Sequence, residues 1–144
     1  MEDCLKEIFD LSLRYLMHRM RTKREMVDYL KKHLYDSEVI DQCISMLCAY
    51  NYIDDEEYCK HYIEYSKEKL KSMKQIYYEL MQKGVDKHII TKYLIDYDEN
   101  EIIFKLLNKK SLWERYRDEH KIINYLLRKG FQYENIKKVL KEAT

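Results

Sequence analysis

One motif, repeated in register, limits what this chain can fold into. Residues 22–30 read TKREMVDYL: a hydroxyl residue, an acid three positions on, then an apolar run. That is the form of a helix N-terminus. The first side chain accepts a bond from an unpaired backbone N–H of the first turn, and the acid bonds back. The stretch recurs as SMKQIYYEL at 72–80 and as DEHKIINYL at 118–126. With Leu30, Leu80 and Leu126 taken as equivalent, Thr22, Ser72 and Asp118 each stand eight residues upstream. Downstream the register holds through Leu34, Gly84 and Gly130, then Tyr35, Val85 and Phe131. It continues through Ile40, Ile90 and Ile136, and through Ile44, Leu94 and Leu140. Spacings of 50 and then 46 residues lie in the range of helical arrays.

The unit is legible physically. Thr22, Ser72 and Asp118 are N-caps, each contributing roughly 1 kcal/mol. Glu25 and Gln75 can complete a capping box; Lys121 cannot, which leaves Asp118 to cap alone. Gly84 and Gly130 suit the left-handed residue that ends a helix, with Val85 and Phe131 packing back on it. Leu34 holds that place in the first copy, so that helix is expected to end differently. A second helix follows each stop, capped by Asp36 and Asp86, with Gln132 a poorer cap. A longer helix precedes each capped one; the second opens at Asp54 and Asp55 and carries Tyr58, Tyr62 and Tyr65 on one face, a pattern expected to be core. The chain has no proline and two glycines, too few for the tight turns of sandwiches and barrels. The expected fold is all-α: three tandem three-helix repeats, about nine helices, stacked into an elongated, curved array. The repeats run approximately 5–52, 53–96 and 97–143 of a single domain, 1–144. One unit is too small to bury much apolar surface, so stacking between units should supply much of the stability.

Charged residues make up 37% of the chain but cancel to a net +1, so any charge argument is local. Residues 14–33 hold seven basic residues, Arg14, Arg19, Arg21, Lys23, Arg24, Lys31 and Lys32, against Glu25 and Asp28. A second run is Lys67, Lys69, Lys71 and Lys74; a third is Arg128 and Lys129 with Lys137, Lys138 and Lys141. If the units stack in register, these runs could line one side of the array. The acidic clusters near helix starts are explained by caps and dipoles. Cys43 and Cys48 lie about 140° apart on a helix and cannot face one metal; Cys43, Cys48 and Cys59 read as buried structural thiols, and the five histidines as surface or boundary residues. Trp113 and Tyr116 are expected to pack between units. The acidic start, MEDCLKEIFD, is not that of a signal peptide, and no apolar stretch is long enough to span a bilayer. A cytoplasmic protein with reduced cysteines and no metal or cofactor is expected.

These residues resemble the RecX family, regulators of the bacterial RecA recombinase. Arg19-x-Arg21-Thr22-x-x-Glu25-Met26-x-x-x-Leu30 is similar to the family's Arg-x-x-Ser-x-x-Glu-Leu run. Tyr52-Ile53-Asp54-Asp55-Glu56-x-Tyr58-Cys59 is similar to its Leu-Asp-Asp-x-x-Phe-Ala signature. Ile76-x-x-Glu79-Leu80-x-x-Lys83-Gly84-Val85 follows, and Tyr125-Leu126-x-Arg128-Lys129-Gly130-Phe131 is close to its Arg-Arg-Gly-Phe ending. Departures are Ser72 in place of a usual glycine, Cys59 in place of alanine, and Leu34, where glycine is also usual. The resemblance implies a monomeric, non-enzymatic modulator that lodges along the groove of the RecA–single-stranded DNA filament. It limits recombinase, ATPase and coprotease activity, in DNA repair, homologous recombination and the SOS response. The residues it makes candidates for partner binding are Arg19, Arg21, Lys23, Arg24, Lys31, Lys32, Lys67, Lys71, Lys74, Arg128 and Lys129, with weak single-stranded DNA or phosphate contact compatible. Two other classes compete. Tandem helix-turn-helix DNA binding needs a basic recognition helix, whereas SEVIDQCISMLCAY has no Lys or Arg. A generic helical scaffold with another protein partner would fit the repeats alone. An enzyme is not expected: two glycines cannot supply a phosphate loop.

Overall fold

A computed structural model describes residues 2–143. It forms ten helices and no strand among them. In chain order these are α1 (Glu2–Leu16), α2 (Lys23–Lys31), α3 (Ser37–Ala49), α4 (Asp55–Glu68), α5 (Met73–Gln82), α6 (Lys87–Leu94), α7 (Glu99–Lys109), α8 (Leu112–Tyr116), α9 (Glu119–Arg128) and α10 (Tyr133–Ala143). The first three pack on one another, as do α4, α5 and α6, and α7 through α10. The helix beyond the expected nine is the short α8. It carries Trp113 and Tyr116 onto α9 within its own group rather than between groups. The chain exposes 9722 Å², against roughly 8,000 Å² for a compact monomer of its mass, as an elongated stack should.

The core is divided. Ile8, Met26, Leu30, Ile40, Cys43 and Leu47 close one cluster inside α1–α3. A second cluster runs without a break through α4–α10, from Cys59, Ile76 and Leu80 to Ile103, Leu126 and Ile136. The second and third units therefore share apolar burial, whereas the first keeps its own cluster, joined by Ile53 from the α3–α4 connection, and meets the second largely through polar groups.

Those polar groups form a joint that is used twice. Thr22 accepts a bond from the Glu25 amide (3.1 Å), and its hydroxyl donates to the Lys83 carbonyl (2.7 Å). Ser72 accepts from the Gln75 amide (3.2 Å) and donates to the Lys129 carbonyl (2.8 Å). Both side chains are fully buried. Beside each, the first N–H of the capped helix donates to the first residue of the next unit's leading helix. Lys23 bonds to Asp55 and Met73 to Glu99, each at 2.9 Å. So α9, α5 and α2 meet head to tail, the C-terminal carbonyl of one against the N-cap of the next. A hydroxyl can accept and donate at once. Asp118, the third cap, accepts from the His120 amide (2.9 Å), but a carboxylate has no proton to pass on, and it stands at the end of the row.

Several local expectations change. Leu34 does not avoid the left-handed conformation; it adopts it (φ 62°) and is 91% exposed. The Gly84 and Gly130 ends are closed by bonds from Val85 to Leu80 and from Phe131 to Leu126, whereas the first copy ends on shorter bonds from His33 and Leu34. Thr22 and Glu25 form the complete capping box, but Gln75 turns its amide to Glu79 (3.2 Å) instead of back to the cap. Asp36 makes no side-chain cap bond, while Asp86 and Asp54 do. Tyr58 is core and Tyr62 half-buried, but Tyr65 is half exposed: the stripe climbs out of the core along α4.

The cysteines are free. Cys43 and Cys59 are fully buried and Cys48 is intermediate. Burial pushes the Cys59 thiol up to about 11 and raises Cys43 as well, so both stay protonated at neutral pH and inert. Brief treatment of the native chain with N-ethylmaleimide should label exposed Cys4 and spare Cys43 and Cys59 until the chain is denatured. Mass spectrometry of the peptides reads this, and native labelling of Cys59 at the rate of Cys4 would contradict the packing.

Candidate partner-binding surface

The basic residues divide into those that the fold engages and those left to solvent. Arg19 bridges to Glu25 at 3.1 Å. The Arg21 guanidinium sits over the Tyr15 ring, its central carbon 3.8 Å from the centroid, and is half-buried, so this contact holds α1 to the start of α2. Lys67 pairs with Glu64 at 3.7 Å. Lys71 is the most committed: its ammonium sits 2.7 Å from Glu79 and faces the rings of Tyr62 and Tyr65. Glu79 also accepts from the Tyr62 hydroxyl (2.7 Å). Burial works against the charge of Glu79, but the bonds from Lys71, Tyr62 and Gln75 outweigh it and hold its carboxyl below the ordinary value. Lys71 is thus a structural cation that orders the turn before α5.

The remaining candidates are exposed. Lys31 and Lys32 lie at the C-terminal end of α2, where cations complement the dipole. Lys23 and Arg24 open α2, with the Arg24 stem laid against Gly84. Lys74, Arg128 and Lys129 are gathered at the second joint by the head-to-tail placement of α5 on α9. They rim an open groove of about 680 Å³ with Gln75, Tyr78, Tyr125, Leu127 and Gly130. No carboxylate lines it. The Lys129 ammonium faces the Tyr125 ring at 5.3 Å, while Lys74 and Arg128 enter no ion pair among the described residues. Two of the basic runs, 54 residues apart on the sequence at Lys74 and Arg128, therefore meet at this groove through Lys74.

Sequence reasoning did not find Tyr78 or Leu127, which are 63% and 40% exposed in this groove. Their signal was a break in helical periodicity: each is a large apolar side chain off the core row set by Ile76 and Leu80, or by Ile122 and Leu126. Among the described residues no group of His, Cys, Asp and Glu could hold a metal ion, and no helix is long and apolar enough to cross a membrane.

Comparison with known proteins places the architecture. Residues 9–47 match the family model described as RecX, first three-helix domain, and residues 54–94 match RecX, second three-helix domain. A protein of Caldanaerobacter subterraneus named regulatory protein RecX is 35% identical over 94% of this chain and 70% of its own length. One of Finegoldia magna with the same name is 34% identical over 92% of this chain and 70% of its own length. The crystal structure of RecX from Lactobacillus salivarius superposes with a TM-score of 0.91 at 29% identity, over 99% of this chain and 97% of that one. With both three-helix models in their expected order, and the likeness running nearly end to end, this chain belongs to the RecX family of regulatory proteins.

Proposed function

We propose that this chain is a non-catalytic regulator, acting as a cytoplasmic monomer, that binds the RecA–single-stranded DNA filament and restrains its recombinase, ATPase and coprotease activities. The observation that supports this most directly is the set of exposed, unpaired cations gathered by the stack, Lys74 and Arg128 above all, on a chain of nearly zero net charge. Such a surface suits a partner that presents acidic protein and DNA phosphate together. Binding that favours one filament state over another shifts the filament toward it, with no chemistry required of the regulator.

The test is RecA-dependent ATP hydrolysis on single-stranded DNA, titrated with this chain at two salt concentrations. Inhibition at substoichiometric ratios, weaker at high salt, is expected. The variant Lys31→Glu/Lys32→Glu/Arg128→Glu reverses exposed charges while leaving the buried joints alone, and should raise the half-inhibitory concentration about tenfold or more. Inhibition that ignores the variant would keep the function and remove the electrostatic surface. Absence of any effect on hydrolysis and on filament length would end the RecA reading.

A further inference from the structure

The groove at the second joint continues into a stripe along α5. Lys74, Tyr78 and Met81 follow one another at helical spacings of four and three residues, so they share a face. All three side chains are exposed, Tyr78 at 63% and Met81 at 40%. Leu127 of α9 widens the apolar strip. Its two ends are cationic: Lys74 with Arg128 at the α5 N-terminus, and Arg24, laid over Gly84, at the C-terminus. The ten residues of α5 set these ends roughly 15 Å apart.

We infer that this stripe is the docking site for one segment of a protein partner, with apolar side chains at its centre and carboxylates toward both ends. The inference rests on the regulatory reading above and assigns it a place. Tyr78 is the anchor. Its ring makes no hydrogen bond, ion pair or ring contact among the described residues, whereas Tyr15, Tyr58, Tyr62 and Tyr125 all contact another ring within the fold. An aromatic, a methionine and an arginine around an apolar strip with a charged rim is the composition of a protein interface. Charge complementarity selects an acidic occupant, because no carboxylate lines the groove. A nucleic-acid strand fits less well. Its phosphates recur along the whole length, yet between the cationic ends α5 presents Tyr78, Met81 and Gln82, with no cation to receive them.

The probe is a fluorescein-labelled peptide with a Leu-Phe centre and Asp and Glu on both sides, added to the ¹⁵N-labelled full chain, with oligo(dT) as competitor. Amide shifts confined to the Lys74–Met81 and Leu127–Arg128 segments are expected, and Tyr78→Ser should weaken peptide binding about tenfold or more with little change in Tm, since the ring is mostly exposed. Arg128→Glu should do the same and lessen the salt dependence, since Lys74 and Arg24 still face the acidic ends of the peptide. Shifts elsewhere, no binding, or tighter occupation of the same residues by oligo(dT) would overturn the inference, the last in favour of nucleic acid. The filament assay separates the two claims. If wild-type chain inhibits hydrolysis and Tyr78→Ser inhibits equally, the stripe is wrong and the regulatory function stands. If wild-type chain leaves the filament untouched, the function fails, and the peptide titration still decides the stripe.

Discussion

Glu99→Ala should cost about 3 kcal/mol or more of unfolding free energy, a large share of what a domain of this size possesses. Glu99 is 3% exposed, at the first position of α7. One oxygen accepts from the Met73 amide at 2.9 Å; the other accepts from the Gln132 amide at 3.0 Å and from the Asn135 side chain at 3.1 Å. It thereby ties the start of α5 and the start of α10 to the start of α7. Truncation leaves the Met73 and Gln132 amides without their acceptor, while the Asn135 amide keeps only a 3.4 Å bond to the Gln132 side-chain oxygen, and each unsatisfied buried donor costs roughly 1–3 kcal/mol. Glu99→Gln keeps one acceptor oxygen and should fall between wild type and alanine. Urea unfolding with an unchanged m-value reads the effect. A loss below about 0.5 kcal/mol for alanine would mean that water replaces the carboxylate and that the hub is not structural.

The second large effect lies at Gly130. Its φ is +95°, a region that costs an L-residue roughly 1–2 kcal/mol, and a Cβ there would stand 2.7 Å from the Ser72 hydroxyl oxygen. Gly130→Ala must therefore accept the backbone strain and also push Ser72 off the Lys129 carbonyl. About 3 kcal/mol is expected, the strain plus one displaced buried hydrogen bond. A double-mutant cycle isolates the joint. In a Ser72→Gly background the steric conflict is gone, so Gly130→Ala should cost only the strain. Equal cost in both backgrounds would show that the hydroxyl-to-carbonyl joint carries no energy.

Both predictions concern places where units meet, and these were the least legible places in the sequence. Glu99 read as one more acid near a helix start, which is a common and sufficient reason for an acid to be there. Nothing local distinguishes it from Glu101, which remains in solvent and pairs with Lys105. Thr22 and Ser72 were identified as caps, but their second bonds run to carbonyls 61 and 57 residues away. A bond of that kind exists only once the stack has formed. Leu34 shows the converse. Its residue type argued against a left-handed helix end, yet tertiary placement of α3 against α2 overrides a penalty of about 1–2 kcal/mol.

The charge pattern behaved in the same way. Lys71 and Lys74 are three residues apart and look alike on paper. The structure gives Lys71 to Glu79 and two tyrosine rings and leaves Lys74 at the rim of a groove. Arg21 sits in the densest basic run but is used for packing on Tyr15. The distinction matters for experiment. Charge reversal at Lys71 or Arg21 would disturb the fold and mimic loss of a binding site, whereas reversal at Arg128 tests binding alone.

What the sequence determined by itself was the all-α class, the three-fold repeat, the caps Thr22, Ser72 and Asp118, the core row through Leu30, Leu80 and Leu126, and the resemblance to RecX proteins. All of these follow from local chemistry: capping, the 3.6-residue period and the conformational freedom of glycine are readable within one helix and its ends. What only the tertiary structure decided was the head-to-tail row of α9, α5 and α2, the split of the core into two clusters, the Glu99 hub and the exposed face that carries Tyr78. These depend on which ends of distant helices meet. A hydroxyl, a carboxylate or a lysine has the same propensity on either side of that choice, and its partner is set only when the units stack.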